Sequence, residues 1–391
     1  MSYKIFNCND LSELARNHET PCYIYDSTLL ADTLQKAQTC VNRYFGQNAT
    51  IHYALKANDN SEVLTKIKQS GFGIDCVSGG EIEHALDHGF LTQQIVFAGV
   101  GKQDWEIELG LNVGIYAFNC ESIQEVTIIN NLAGRLGKQA KIMLRVNPDI
   151  DARTHKHIST GMYDNKFGIT FDDVLTVIQD LKNLTNIQLV GLHYHIGSQI
   201  TDMQVFAQLG AVVSKHYAQL TEYGCHLTDI NLGGGLGVDY INPQANPIAA
   251  FDEYFAVLSQ NLLFPNRESI KIHFELGRSL VAQSGIVLSK VLFLKSTAGT
   301  NFVVIDAGMN DLMRPMLYEA KHVIMPLIKK IEVDKYHVVG PVCESTDVFA
   351  KNIELPILAR GDVIAILTCG AYGRVLANQY NRRKMVQEYV I

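Results

Sequence analysis

Lys56 stands at the end of IHYALKAN, residues 51–58, a run that suits a half-buried β-strand with Ile51, Tyr53 and Leu55 on one face and His52 and Ala54 on the other. A lysine in that position is either a snorkelling surface residue or an amine that condenses with a carbonyl compound. The choice depends on what other runs bring beside it. Chemically competent side chains recur at the ends of similar runs: Asp75 in GFGIDCVS, Arg145 in KIMLRVN, His195 in LVGLHYHIG, Gly233 to Gly235 in DINLGGG, and Glu275 in KIHFELG with Arg278 just beyond. Charged groups at the ends of apolar strands are costly unless they neutralise one another, so their convergence on one mouth would make a site.

The segment NLGGGLG, residues 231–237, reads as a tight turn or as a loop whose open N–H groups meet an anion. Arg278, Ser198 of HIGSQ and Tyr372 of GAYG are phosphate donors and favour the anion. A phosphate and an amine-reactive aldehyde in one mouth point to pyridoxal 5'-phosphate held on Lys56 as an imine. That cofactor is an electron sink only while its pyridine nitrogen keeps a proton, which a carboxylate such as Glu275 would hold. His195 shares strand parity with His193 and lies nearer the strand end. It either lies flat on the ring or is a satisfied core residue, and His193 sits lower.

These residues need a scaffold that gathers strand ends. From 49 to 277 a short apolar run alternates with a longer amphipathic stretch, the strand candidates being 49–56, 71–78, 95–100, 113–119, 141–147, 189–197, 229–235 and 271–277. Helical candidates between them include SEVLTKIKQS, GGEIEHALDHG, ESIQEVTIINNLAG and FDDVLTVIQDLKN. Eight such units over about 230 residues fit a closed α/β barrel of the (β/α)8 type better than an open doubly wound sheet, and a barrel carries its site at the C-terminal ends of the strands. After 280 the runs GIVLSKVLFLKS, NFVVIDAG, KYHVVGPV and DVIAILTCG predict a β-rich second domain. The expected division is 25–280 for the barrel and 1–24 with 281–391 for the second domain, because PCYIYDS near the start is also strand-like.

Composition narrows the function classes. The chain has 391 residues, 47% hydrophobic and 19% charged, and a net charge of -7 leaves no basic surplus for nucleic acid or an anionic membrane. No apolar core marks the first twenty residues as a signal peptide and no run is long enough to span a bilayer, so a cytoplasmic location is expected. The eight cysteines never approach CxxC spacing and read as reduced thiols, with no metal site.

Over its length the chain resembles the fold-type III pyridoxal 5'-phosphate-dependent decarboxylases, most closely the diaminopimelate decarboxylase family. YALKAN, DCVSGGE, LRVNPDIDARTHKHISTG, NKFGI, HYHIGSQ, NLGGGLGVDY, DAGMNDLMRPMLYEA, GPVCESTDVFA and GAYG carry the likeness, in order. The resemblance implies decarboxylation of meso-2,6-diaminopimelate to L-lysine, the last step of lysine synthesis. It implies the imine on Lys56, His195 on the ring and Glu275 at the pyridine nitrogen. Ser198, Gly234, Gly235, Gly277, Arg278 and Tyr372 would then lie near the phosphate or substrate carboxylate, with Asp75 and Arg145 also facing the cofactor. Arg314, Tyr318, Glu344 and Ser345 would grip the distal amino-acid end of the substrate.

The resemblance also implies a head-to-tail homodimer in which Cys343 and Glu344 reach the partner's site, Cys343 being the candidate proton donor. The substrate's remote carboxylate and ammonium give Arg314 and Glu344 plausible work. Two departures stand out. Leu276 occupies the place of the family's proline after the eighth strand, predicting a less rigid loop, and the ending RVLANQYNRRKMVQEYVI is atypical. Ornithine, arginine or carboxynorspermidine decarboxylases, a catalytically silent cofactor-binding relative and an amino-acid racemase are the competing readings.

Overall fold

The computed structural model describes residues 8–151, 166–265 and 267–391, so that residues 152–161 of the LRVNPDIDARTHKHISTG segment and Asn165 of NKFGI lie outside the described residues. Strand β1 (Cys22–Tyr25) precedes the eight expected runs, each of which forms a strand. They are β2 (Ala49–Ala54), β3 (Gly73–Cys76), β4 (Ile95–Phe97), β5 (Ala117–Cys120), β6 (Ala140–Arg145), β7 (Ile187–His193), β8 (Asp229–Asn231) and β9 (Lys271–Leu276). All pair in parallel in chain order and β9 returns to β2, closing the barrel. Closure explains the clustering of distant residues: β2 lies between β3 and β9, with Ala54 opposite Asp75 and His52 opposite Glu275.

Period-two alternation sorts the two faces of each strand. Ile51, Tyr53 and Leu55 are buried against the surrounding helices. Facing them, the helix Ser27–Phe45 buries Leu30, Leu34, Ala37 and Val41 at three- and four-residue spacing. Its start is fixed by Asp26, whose Oδ1 accepts from the N–H groups of Thr28 and Leu29 at 2.9 Å, a cap worth roughly 1 kcal/mol. On the opposite strand face Val96, Ala117, Met143 and Val190 form a separate small apolar cluster. A buried polar chain lies there too: His52 Nε2 meets His273 Nδ1 at 3.0 Å, and His273 Nε2 donates to Asp229 Oδ1 at 2.7 Å.

The expected strand 49–56 ends two residues early. Leu55–Ala57 form one 3₁₀ turn, so Lys56 projects from a turn and not from a strand end. Contacts from far along the chain hold that turn: Tyr372 N–H donates to Ala57 O at 2.8 Å, and Asn58 Nδ2 donates to Gly370 O at 2.9 Å.

The second sheet is eight-stranded. It contains β10 (Gly285–Thr297), β11 (Thr300–Ile305), β12 (Ile324–Pro326), β13 (Val333–Val339), β14 (Val348–Pro356), β15 (Val363–Ile366) and β16 (Gln387–Val390), and β1. Its main path runs β12-β15-β10-β11-β13-β14, and β1 joins antiparallel to β10 and parallel to β16. The expected meeting of PCYIYDS with the C-terminal part is therefore a four-residue ladder. Three of these strands, β12, β14 and β16, have no counterpart in the sequence reading. The atypical tail ends as β16, and Leu276 is fully buried in the barrel core.

Among the described residues no helix is long and apolar enough to cross a membrane, and no cluster of histidine, cysteine and acidic side chains could hold a metal ion. The seven cysteines from Cys22 onward are free thiols; the side chain of Cys8 lies outside the described set.

Candidate active site

A cavity of about 440 Å³ opens at the C-terminal ends of the barrel strands. Its wall includes Lys56, Arg145, His195, Ser198, Gly235, Glu275, Gly277, Arg278, Tyr318 and Tyr372, so most of the residues expected from sequence meet in one place. The Lys56 side chain is 39% exposed, its amine 3.3 Å from Oδ2 of the buried Asp75. Burial alone would lower the Lys56 ammonium, but the Asp75 carboxylate, with Tyr372 and Glu275, outweighs it and holds the group above the usual lysine range. Asp75 is itself pushed up, by burial and then by the charge of Glu275.

Glu275 has an unusually complete set of donors. Asn119 Nδ2 and Asn231 Nδ2 donate to its Oε1 at 2.8 and 2.7 Å, and His193 Nε2 meets Oε2 at 3.0 Å. Burial would raise this carboxyl, yet His193, then His195 and Lys56, hold it well below the usual carboxylate range. The group is therefore ionised inside the barrel. His195 receives the N–H of Gly234 on Nδ1 at 3.3 Å, and burial, then Arg145 and Lys56, push it well below the usual histidine range. It is a neutral ring on the cavity wall. Arg145 donates to Glu121 Oε1 at 2.6 Å and lies 4.5 Å over the Phe167 ring.

The glycine run has two separable uses. A Cβ on Gly234 would come within 1.9 Å of Glu275 O, so its bareness serves the packing of β8's extension against β9. Gly235, at φ +99, forms part of the cavity wall. Beside it, Arg278 donates to Ser198 Oγ and to Tyr240 OH, both at 2.9 Å, and lies 4.8 Å over the Tyr372 ring. No carboxylate among the described residues forms an ion pair with Arg278.

Arg314 lies behind this wall, 4% exposed, with its guanidinium 4.7 Å over the Tyr240 ring. Cys343, Glu344 and Ser345 are not brought to the cavity of their own chain. All three are exposed; Glu344 accepts from Tyr380 OH, and the Cys343 N–H reaches Asn381 Oδ1 at 3.4 Å.

Sequence reasoning missed Asn119, Asn231, Tyr240, His322 and Ser279, and it left His193 in the core. The two asparagines were detectable in principle, since AFNC and DIN place an amide in the middle of apolar runs where a partner is obligatory. The donor set fits pyridoxal 5'-phosphate: an amine for the aldehyde, an ionised carboxylate for a pyridinium, and a guanidinium without a carboxylate for the phosphate. Buried Arg278 Nε, Ser279 Oγ and Asp75 Oδ1 also lack protein partners, leaving polar capacity for a ligand.

The family profile "Pyridoxal-dependent decarboxylase, pyridoxal binding domain" matches residues 31–282. Diaminopimelate decarboxylase of Bacteroides thetaiotaomicron is 46% identical over 374 residues, 96% of each chain. The crystal structure of the Helicobacter pylori diaminopimelate decarboxylase complexed with L-lysine superimposes with a TM-score of 0.90 at 40% identity, covering 97% of this chain and 94% of that one. The M. jannaschii enzyme in co-complex with L-lysine gives a TM-score of 0.90 at 36% identity, covering 97% and 88%. With a closed barrel, a lysine and an ionised glutamate facing one cavity, and likeness along nearly the whole length, this chain belongs to the diaminopimelate decarboxylase family of pyridoxal-dependent decarboxylases.

Proposed function

We infer that the chain removes one carboxyl group from meso-2,6-diaminopimelate, releasing carbon dioxide and leaving L-lysine, the last step of lysine synthesis. The observation that carries this reading is the pairing of Lys56 and ionised Glu275 across one cavity, with two buried arginines, Arg278 and Arg314, that have no carboxylate partner among the described residues. Pyridoxal 5'-phosphate, when bound, supplies the electron sink that accepts the bond pair as carbon dioxide leaves.

The chain's own residues do the rest. Lys56 would hold the cofactor through its amine, which Asp75 orients. Glu275, kept ionised by Asn119, Asn231 and His193, would hold the proton on the pyridine nitrogen of the bound cofactor. His195 supports the ring. Arg278, Ser198, Gly235 and Tyr372 bind the phosphate or the reacting carboxylate, and Gly234 and Gly277 let the backbone approach. Arg314 takes the distal carboxylate as a fork, with Tyr318 beside it.

Cys343, Glu344 and Ser345 complete the site from a partner subunit in a homodimer, Cys343 returning a proton to the reacting carbon and Glu344 holding the distal ammonium. Their exposure away from their own cavity supports that arrangement. The same reading assigns 25–280 to the cofactor-binding barrel and 1–24 with 281–391 to a second domain that completes the site, supported by Tyr318 and Tyr372 on the cavity wall. It places the enzyme in the cytoplasm.

Carbon dioxide release from a panel of diaminopimelate isomers, ornithine and arginine tests the reading. The meso isomer is expected to lead in kcat/KM by at least roughly 10²-fold, because ornithine and arginine leave a buried guanidinium unpaired. Preference for ornithine or arginine would reject the substrate; interconversion of isomers without carbon dioxide would indicate a racemase.

A further inference from the structure

Resting on that reading, the surroundings of Arg314 identify a residue that the sequence motifs do not. Arg314 opens the short helix Arg314–Tyr318, and its Nη1 donates to His322 Nε2 at 3.0 Å. His322 Nδ1 lies 2.8 Å from the backbone carbonyl of Leu367. Donor counting fixes this imidazole, since Cys369 Sγ, 3.6 Å from Nδ1, has its own acceptor in the Ile366 carbonyl at 3.2 Å. A carbonyl oxygen can only accept, so Nδ1 carries the proton; a guanidinium can only donate, so Nε2 is bare. His322 is a neutral ring in one tautomer. Burial, then Arg314, push it down to about 3, in agreement with that count.

The tautomer is built into the sheet. Leu367 N–H donates to Val323 O at 2.9 Å, extending the β12–β15 ladder and setting His322 beside Leu367 O. Tyr240 closes the other side: its ring meets His322 edge-on at 5.2 Å, lies under Arg314, and its hydroxyl accepts from Arg278. One nitrogen of Arg314 and one face are thus fixed by groups that leave its charge intact. Its Nε is buried without any partner. A carboxylate in place of His322 would instead have neutralised the guanidinium.

We propose that His322 is the positioning residue for substrate discrimination: it orients Arg314 as an acceptor without spending the positive charge, so that the charge remains for the distal carboxylate of a diamino dicarboxylate. Tyr240 couples this fork to Arg278, holding the two anion sites at a fixed separation. His322 acts through Arg314 and does not itself touch the reacting atoms.

Two substitutions separate the two faces of the ring. His322→Asn keeps a donor toward Leu367 O and removes the acceptor toward Arg314, whereas His322→Gln restores an acceptor at the outer position. With His322→Asn, KM for meso-diaminopimelate should rise roughly tenfold with kcat within about twofold, as lost ground-state positioning demands. Binding of lysine, which keeps the distal carboxylate, should weaken in step, whereas binding of 1,5-diaminopentane, which has no carboxylate, and of the cofactor should change less than about twofold. His322→Gln should recover most of the loss. A nitrogen NMR spectrum of His322 should show the proton on Nδ1. Wild-type KM in His322→Asn, an equal loss for 1,5-diaminopentane and diaminopimelate, or a proton on Nε2 each overturns the proposal while leaving the decarboxylase reading intact. Wild-type protein that releases no carbon dioxide from diaminopimelate overturns both.

Discussion

Glu275→Gln is expected to lower kcat by on the order of 10²–10³ while the protein still binds pyridoxal 5'-phosphate, the magnitude seen when one preorganised electrostatic group is removed from a buried site. The substitution is nearly isosteric. Asn119 and Asn231 can still donate to the remaining carbonyl oxygen. His193 Nδ1 has no partner, so the imidazole can move its proton there and accept from the new amide at Nε2. What disappears is the negative charge. A neutral amide no longer favours the protonated pyridine nitrogen, and carbanion stabilisation at the reacting carbon weakens with it. Steady-state kinetics with a spectrum of the bound cofactor check this. A loss below about tenfold would mean that the proton is held by some other group.

The second large effect concerns residues that lie outside their own chain's cavity. Lys56→Ala and Cys343→Ala are each expected to be inactive as homodimers. Mixing them after dissociation should restore activity. Random reassortment makes half of the dimers mixed, and each mixed dimer holds one site with both residues intact, so about a quarter of wild-type activity returns. A cavity completed within one chain predicts no recovery at any mixing ratio. The exposure of Cys343, Glu344 and Ser345, and the separation of that segment from the cavity wall, make the shared site the economical arrangement.

Much of this architecture was legible because it rests on local rules. Eight short apolar runs separated by amphipathic stretches can bury both strand faces only if helices cover the outside, and the observed barrel follows that rhythm. Lys56, Glu275 and Arg278 were legible because charge at an apolar strand end demands a partner. The remainder depended on contacts between residues far apart in the chain. β12 and β16 have only three and four residues and form by pairing with β15 and β1, a signal no local window contains. β14 carries exposed Lys351, Asn352 and Glu354, two of them consecutive, which breaks the alternation and obscures its strand character. His322 has the same origin: its role needs Leu367 O on one side and Arg314 on the other, and only the β12–β15 ladder brings the carbonyl there.

Reading Lys56 also depended on tertiary structure. The strand ended at Ala54, two residues before the expected limit, because Tyr372 and Gly370 capture the following turn. This alters the emergence of the side chain but not its neighbours, since Asp75 and Glu275 come from the strands on either side of β2.

The central claim is that the Lys56 amine holds the cofactor. Reducing the pyridoxal 5'-phosphate-loaded protein with borohydride, digesting it and mapping the phosphopyridoxyl label by mass spectrometry tests this directly. The label is expected on Lys56 alone, with the yellow absorbance lost in proportion. A label on Lys102, whose amine is already engaged by Glu125, or on another lysine, or no label on loaded protein, would contradict it.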